Sequence, residues 1–197
     1  MNLRITSGSL KNRRFSVPAT DLRPTEEKIR SAFFNTLFSM IEFKGRSFLD
    51  IFSGSGAMAF ESLSRGFQNA SVIENNPKAV EKIRSNAELL NLSGNVKIIR
   101  NDAFKSAAYA SLDQKFQAVY IDPPYSMSGE ISGLLDQLKV SGVIGEICVI
   151  GVESDREIVW QAPEWNRKIK KFGNTFLTIF YNWEKNDEEK SHLPGEF

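Results

Sequence analysis

The chain has one cysteine and one histidine among its 197 residues, and this scarcity excludes several kinds of site. Cys148 cannot form an internal disulfide, and it lies in an apolar run with no histidine or basic group beside it, so we interpret it as a small core residue. His192 stands alone in the polar C-terminal stretch, which excludes a histidine-based triad or zinc site. We therefore expect no metal.

Membrane-length apolar runs are also missing. The apolar run at residues 144–152 is interrupted by Glu146 and is too short to cross a bilayer. No secretory segment is recognisable, so the sequence predicts a cytoplasmic protein. A hydrophobic content of 41% and a charged content of 25% are ordinary for a soluble globular domain.

The chain has no overall excess of one charge, since its formal net charge is +1. The charges are unevenly placed, however. Residues 1–23 carry five basic residues and one acidic residue, whereas residues 184–197 carry five acidic residues and two basic ones. This asymmetry indicates a local basic contact surface rather than general affinity for polyanions.

The basic N-terminal segment alternates apolar and polar residues around Ser7-Gly8-Ser9, which predicts a short β-hairpin. Cations between hydroxyl groups and glycine suit the phosphates of a nucleic acid, and the predicted RNA contacts are Arg4, Lys11, Arg13, Arg14 and Arg23. An ordinary edge strand protected by charge explains the pattern equally well. We divide the chain into an arm (1–24), a main domain (25–184) and an acidic, disordered tail (185–197).

The main domain alternates predicted strands and helices. A helix begins after Arg23-Pro24-Thr25, with Thr25 as its N-cap. Strands are then predicted at 48–52, 70–74, 96–100, 116–121 and 146–152, and helices at 57–65, 77–91, 103–110 and 131–138. This order predicts an α/β fold, with a mostly parallel sheet and helices on both faces. Residues 167–171 and 175–183, on either side of Gly173-Asn174, predict an antiparallel hairpin at the sheet edge.

The most informative stretch is Asp122-Pro123-Pro124-Tyr125, which follows the predicted strand 116–121. The two prolines fix φ and remove two backbone N–H groups, which leaves the Asp122 carboxylate and the Pro123 carbonyl as acceptors without competing donors. Tyr125 adds a flat aromatic face. Two acceptors beside such a face suit a planar amine, such as the exocyclic –NH2 of a nucleobase. A rigid Asp-Pro turn is the simpler alternative.

Carboxylates also follow the earlier strands. Asp50 precedes a Gly54-x-Gly56 loop, but Ala59 takes the third glycine position and no lysine follows, so neither a dinucleotide fingerprint nor a P-loop is complete. Glu74 ends the second strand, 24 positions after Asp50, where a carboxylate can bind both hydroxyls of a ribose.

Asp102 follows the third strand, where it could accept from an adenine amine while the Ala103 N–H donates to the ring. A helix N-cap accounts for Asp102 about as well. These loops carry no positive charge, which favours a nucleoside without a pyrophosphate.

Together the motifs resemble class I S-adenosylmethionine-dependent methyltransferases with a Rossmann-like fold. The resemblance is most specific to the RsmD-type family of bacterial small-subunit (16S) ribosomal RNA guanine-N2 methyltransferases. It is carried by Arg4-Ile5-x-x-Gly8-x-x-Lys11-x-Arg13, Leu22-Arg23-Pro24-Thr25, Arg30-x-x-Phe33-Phe34-Asn35, Leu49-Asp50-x-Phe52-Ser53-Gly54-Ser55-Gly56, Asp122-Pro123-Pro124-Tyr125 and Val152-Glu153-Ser154. One departure is Asn75-Asn76-Pro77, which stands where the family more often has an acidic-basic pair.

The resemblance implies a seven-stranded sheet, S-adenosyl-L-methionine as the cofactor, and a monomer that acts on a partly assembled 30S subunit. The implied catalytic residues are Asp122, Pro123, Pro124 and Tyr125, and the implied cofactor contacts are Thr25, Asp50, Phe52, Ser53, Gly54, Gly56, Glu74, Asn75, Asp102, Ala103 and Asp122.

Two other functions remain open. Adenine-N6 and cytosine-N4 DNA methyltransferases use the same tetrapeptide, but they usually carry a long target-recognition region for which this chain has no room. A non-catalytic nucleoside- or RNA-binding module with this fold would not need the two acceptors at Asp122 and Pro123. A dehydrogenase is disfavoured by the incomplete glycine fingerprint.

Overall fold

The computed structural model describes residues 2–17 and 27–183. The predicted boundary between arm and main domain, the N-cap Thr25, Arg23 and the predicted acidic tail lie outside these residues. The strands are β1 (Asn2–Arg4), β2 (Arg14–Ser16), β3 (Ser47–Ile51), β4 (Asn69–Glu74), β5 (Val96–Arg100), β6 (Phe116–Ile121), β7 (Ile144–Ser154), β8 (Asn166–Phe172) and β9 (Thr175–Tyr181). The helices are α1 (Glu27–Phe38), α2 (Ala57–Ser64), α3 (Pro77–Leu89) and α4 (Ile131–Val140), with 3-10 helices at Ser106–Ala108 and Tyr125–Glu130.

Seven of the strands form one sheet in the order β5-β4-β3-β6-β7-β9-β8. Strands β3 to β7 are parallel, whereas β9 pairs antiparallel with both β7 and β8. The expectation of a mostly parallel, Rossmann-like sheet with a C-terminal antiparallel hairpin is confirmed. The strand order reverses between β3 and β6, so the loops after these two strands meet at the switch point where such sheets bind ligands.

Apolar side chains cover both faces of the sheet, as its parallel part requires. On one face the Phe33 ring of α1 packs edge-to-face on Tyr120 of β6, with 4.9 Å between centroids. Helix α1 comes this close because β7 has glycine at position 151, where a Cβ would lie 2.4 Å from the Phe33 ring. None of the helices in the described part of the chain is long and apolar enough to span a membrane.

The strands β1 and β2 form the predicted N-terminal hairpin, and a buried carboxylate on α2 holds it against the main domain. Glu61 accepts hydrogen bonds from the backbone N–H groups of Thr6 (2.9 Å) and Ser7 (3.1 Å). It also forms ion pairs with Arg65 (2.8 Å) and Arg30 (3.5 Å). A buried charge needs such partners, so the hairpin is part of the folded domain rather than a loose arm.

The predicted helix at 103–110 is instead a series of tight turns around a short 3-10 helix. Side chains compete for the backbone here, since Asn101 accepts from the Asp102 N–H (2.8 Å) and Asp102 accepts from the Phe104 N–H (3.0 Å). Such local hydrogen bonds favour turns over a regular helix. The result is an irregular segment beside the carboxyl ends of the strands.

Candidate active site

The loop after β3 adopts backbone conformations that side chains rarely take. Phe52 has φ 61°, and Gly54 and Gly56 follow with φ 54° and 80°. At Gly56 a Cβ would also lie 2.8 Å from the Phe60 ring. A non-glycine residue held in this region costs on the order of 1–3 kcal/mol and is typical of functional sites. The strained loop presents Phe52 at the switch point of the sheet.

Asp50 stabilises this loop from within. Its carboxylate, which is 2% exposed, accepts hydrogen bonds from the Ser53 hydroxyl (2.6 Å) and the Ala59 N–H (3.2 Å). Burial raises the pKa of Asp50 to about 7, although these two hydrogen bonds act in the opposite direction. Asp50 and Ser53 thus shape the loop, and their contact with a cofactor stays a prediction.

Glu74, at the end of β4, links two loops. One carboxylate oxygen accepts a hydrogen bond from the Gly54 N–H (2.8 Å), and the other accepts from the Asn76 N–H (2.7 Å). Asn76 in turn caps α3 by accepting from the Lys78 N–H (2.9 Å). Because each carboxylate oxygen has a second acceptor position, Glu74 can hold these loops and still bind hydroxyl groups.

A cavity of about 660 Å³ opens where these loops meet, a size typical of small-ligand sites. Of the predicted cofactor residues that the structure describes, five line it: Phe52, Glu74, Asn75, Asp102 and Ala103. The rings of Phe52 and Phe104 lie 5.7 Å apart. The site therefore combines aromatic faces with carboxylate acceptors.

The sequence reasoning missed several residues that line this cavity, namely Ile73, Asn76, Pro77, Asn101, Phe104, Met127 and Glu130. Phe104 could have been found, since it is an apolar residue two positions after Asp102 at the end of a strand. Met127 and Glu130 gave no such signal, because only the 3-10 helix after the Asp122–Tyr125 stretch brings them to the cavity.

The stretch Asp122–Tyr125 follows β6 directly, beside the loop after β3. The Asp122 N–H donates to the Ile51 carbonyl (3.3 Å), which fixes the end of β6 against the end of β3. Pro124 lines the cavity, and its carbonyl accepts from the Met127 N–H (2.8 Å) to begin the 3-10 helix. The Tyr125 hydroxyl lies 3.0 Å from the Thr175 hydroxyl.

A second carboxylate lies next to this stretch on β7. Glu153 accepts a hydrogen bond from the buried Tyr120 hydroxyl (2.7 Å). Burial raises the pKa of Tyr120 well above its usual value, and the charges of Glu153 and Asp122 act in the same direction. Asp122 and Glu153 therefore both lie close enough to the Tyr120 hydroxyl for their charges to act on it.

The arm's predicted RNA contacts have different surroundings. Lys11 and Arg14 are exposed. Arg4 forms an exposed ion pair with Glu27 (3.0 Å), and Arg13 donates to the Leu89 carbonyl at the end of α3 (3.2 Å). RNA contact by these four residues stays a prediction. Within residues 2–17 and 27–183, no group of histidine, cysteine and acidic side chains is arranged to hold a metal ion.

The family model described as "Conserved hypothetical protein 95" matches residues 3–181. Among curated proteins, YlbH of Bacillus subtilis is 34% identical over 164 residues, 82% of this chain and 86% of that protein. Ribosomal RNA small subunit methyltransferase D of Escherichia coli is 30% identical over 156 residues, 79% of this chain and 76% of that protein.

The fold comparison agrees. The solved structure of yhhF from Escherichia coli has a TM-score of 0.81 and 26% identity, and the match covers 94% of this chain and all of that one. The family model spans almost the whole described chain, and two relatives are 34% and 30% identical along most of their length. The chain therefore belongs to the RsmD-type methyltransferase family.

Proposed function

We propose that the protein methylates the exocyclic N2 amine of one guanine in small-subunit (16S) ribosomal RNA. The observation that carries the proposal is the position of Asp122-Pro123-Pro124-Tyr125, which extends from the switch point of the sheet to the cavity. Family membership supports rRNA methylation, since relatives bear the name ribosomal RNA small subunit methyltransferase D. The chemistry of this stretch suits an exocyclic amine of any base, and the choice of guanine N2 follows the resemblance to the RsmD-type family.

The cofactor is S-adenosyl-L-methionine, which supplies a methyl group on a positively charged sulfur. The cavity fits this molecule in size and in chemistry. We assign the ribose hydroxyls to Glu74 and the adenine to the segment with Asp102, Ala103 and Phe104. Among the residues that the structure describes, no lysine or arginine lines the cavity, which suits a ligand without phosphates.

Asp122 and Pro123 are assigned to the target amine. The lone pair of a guanine N2 is delocalised into the ring, so the amine is a poor nucleophile. Two acceptors, the Asp122 carboxylate and the Pro123 carbonyl, can draw its two hydrogens out of the ring plane and localise the lone pair. With S-adenosyl-L-methionine bound, the nitrogen held in this way would accept the methyl group, the sulfur would leave as a neutral thioether, and the extra proton of the amine would pass to water.

Asp122 also stabilises the positive charge that develops on the nitrogen during this step. A preorganised group of this kind is worth ~2.7–4 kcal/mol, by analogy with an oxyanion donor. The half-buried Tyr125 is assigned to stacking on a base flipped out of its helix, because the target atom is otherwise out of reach. Alignment of amine and methyl group supplies the remaining acceleration.

RNA phosphates are assigned to the arm, through Arg4, Lys11, Arg13 and Arg14. We further propose a monomer acting in the cytoplasm on a partly assembled 30S subunit. The rigid attachment of the arm through Glu61 supports a surface that reads a structured particle, since it keeps the cations at a fixed distance from the cavity.

One experiment tests the proposal. The protein is incubated with methyl-labelled S-adenosylmethionine and three substrates: small-subunit particles from cells lacking this modification, free 16S rRNA, and duplex DNA. The modified nucleotide is then mapped by mass spectrometry. Label on the N2 atom of one guanine in the particles is expected. Label on an adenine or cytosine of DNA, or on another position of rRNA, would contradict it.

A further inference from the structure

The strand β8 is a second concentration of positive charge, at the opposite end of the sequence from the arm. Residues 167–171 include Arg167, Lys168, Lys170 and Lys171, all of them exposed, and no acidic residue. Throughout residues 2–17 and 27–183, none of these four cations forms a salt bridge. Lysines on an edge strand protect it from pairing with other chains. This protection does not require the lysines to lie at any particular position along the strand.

The direction of β8 places its last residues beside the carboxyl ends of the parallel strands, where the candidate active site lies. Because β9 is antiparallel to both neighbours, β8 runs in the same direction as β6 and β7. Lys171 pairs with Phe176 of β9, which pairs with Ser154 at the end of β7. Three strand spacings separate β8 from β6, a distance of roughly 14 Å.

The hairpin between β8 and β9 also contacts the catalytic stretch directly. Thr175, the first residue of β9, lies 3.0 Å from the Tyr125 hydroxyl and pairs with Phe172, the last residue of β8. The tight turn at Gly173-Asn174, with φ 59° at the glycine, keeps these residues together. A molecule on the Tyr125 ring therefore has the end of β8 as its neighbour.

The lysine ammonium groups are held in place without being neutralised. Lys170 donates to the Thr36 hydroxyl on α1 (2.7 Å), and Lys171 lies 4.9 Å from the centroid of the Phe176 ring. An ammonium group has three donors, so each lysine can bind a phosphate oxygen. Because consecutive residues of a strand point to opposite faces of the sheet, an RNA strand that runs along the open edge of β8 has one lysine on each side. Lys170 contacts α1 at Thr36, and Arg4 of the arm contacts it nine residues earlier, at Glu27. The two contact points are therefore roughly 14 Å apart along the helix.

We propose that β8 is a second RNA-binding surface, on which Lys170 and Lys171 bind backbone phosphates of the strand that carries the target base. This inference rests on the proposed function and extends it: the arm and β8 hold RNA on either side of α1, and β8 guides the strand to Tyr125. The ligand is the ribose-phosphate backbone, because contacts between lysine ammonium groups and phosphates position a nucleic acid but carry no base information.

The test measures binding of a labelled 16S rRNA fragment over a series of salt concentrations. We compare wild type with Lys170→Gln/Lys171→Gln, and we use Lys44→Gln/Lys115→Gln as the matched control. The control removes the same charge at Lys44 and Lys115, which are exposed. These residues precede β3 and β6 and so lie at the amino ends of the strands, away from the candidate active site. The slope of log affinity against log salt should become less steep by about 1.4 in the β8 variant, for two contacts to single-stranded RNA, and stay unchanged in the control.

A second pair separates RNA binding from edge protection. Lys170→Glu/Lys171→Glu keeps charges on the edge strand, so protection alone predicts a soluble variant with normal RNA affinity. If β8 binds RNA, Lys170→Glu/Lys171→Glu should bind the rRNA fragment more weakly than Lys170→Gln/Lys171→Gln does. The RNA affinity of Lys44→Glu/Lys115→Glu should change little. Equal effects in the β8 and control pairs would overturn the inference. Binding of S-adenosylhomocysteine, measured by calorimetry, should be unaltered in all four variants.

Failure of the proposed function is recognised separately. If wild type does not methylate small-subunit particles but binds the rRNA fragment, the proposed activity is wrong, while the salt slopes still decide the role of β8. If wild type methylates the particles and the β8 pair matches its control, the activity stands and this inference is wrong.

Discussion

The carboxylate of Glu74 accepts a 2.8 Å hydrogen bond from the Gly54 N–H, and this contact joins the end of β4 to the loop after β3. We predict that Glu74→Gln weakens binding of S-adenosylhomocysteine at least tenfold. The glutamine amide has one acceptor oxygen, whereas the glutamate carboxylate has two. In the variant, a buried backbone N–H or a ribose hydroxyl therefore loses its hydrogen-bond acceptor. Calorimetry measures the change. Glu130→Gln, on the same cavity but exposed, should bind normally, and a similar loss in both variants would contradict the role of Glu74.

The resemblance places Asp122 among the cofactor contacts as well as the catalytic residues, but we expect its substitution to affect turnover rather than cofactor binding. We expect Asp122→Ala to bind S-adenosylhomocysteine as wild type does and to lose methylation by on the order of 10²–10³-fold, since the charge on the amine is no longer stabilised. Calorimetry and single-turnover label transfer measure the two effects. Asp113→Ala, at an exposed aspartate, is the control. Near-normal methylation by Asp122→Ala would refute the assigned role.

The hydrophobic pattern predicts the sheet well for a physical reason. Strands β3, β4 and β6 are buried on both faces, and strands of this kind in parallel sheets are mostly apolar. The position of β9 between β7 and β8 was not predicted, because strand order depends on contacts distant in sequence.

The candidate site was predicted in part for a related reason. Glu74 and Asp102 stand out because a carboxylate at a strand end is visible in the sequence. The internal role of Asp50 is not, since it depends on the burial of its side chain and on the fold of the loop up to Ala59. The left-handed conformation of Phe52 is equally invisible, because nothing in the residue type favours it.

Tyr125 combines two features that substitution can separate. Its ring is assigned to stacking on the flipped base, and its hydroxyl contacts Thr175. Tyr125→Ala should weaken productive RNA binding by ~1–3 kcal/mol, whereas Tyr125→Phe keeps the ring and should retain most of the activity. Methylation rates at limiting RNA concentration measure the difference. Equal losses in the two variants would show that the hydroxyl, and not stacking, is what matters.

Asp50 should make folding stability depend on pH. Burial raises its pKa from 3.8 to about 7, so between these values the folded protein keeps a proton that the unfolded chain has released. Its contribution to stability is present at low pH and is lost as the pH rises through about 7. Compared with Asp50→Asn, wild type should lose on the order of 2–4 kcal/mol of unfolding free energy across this range. Urea unfolding at several pH values measures it, with the exposed Glu146→Gln as control; parallel curves for wild type and Asp50→Asn would contradict it.

The docking of the arm should depend on the absence of a side chain at Gly8. A Cβ there would lie 1.8 Å from the Ser64 carbonyl oxygen, and Gly8 also has φ +84°. Backbone cannot give way by this distance, so Gly8→Ala must displace the hydrogen bonds from Ser9 and Leu10 to Ser64. We expect faster amide hydrogen exchange across β1, β2 and the loop between them, with exchange in the central strands β3 and β6 unchanged. Gly94→Ala, with nothing near the new methyl group, is the matched control.

Because the arm is assigned to RNA, Gly8→Ala should also weaken rRNA binding without changing the affinity for S-adenosylhomocysteine. Normal hydrogen exchange in the arm of this variant would show that the clash is relieved and that the arm is not held through this contact.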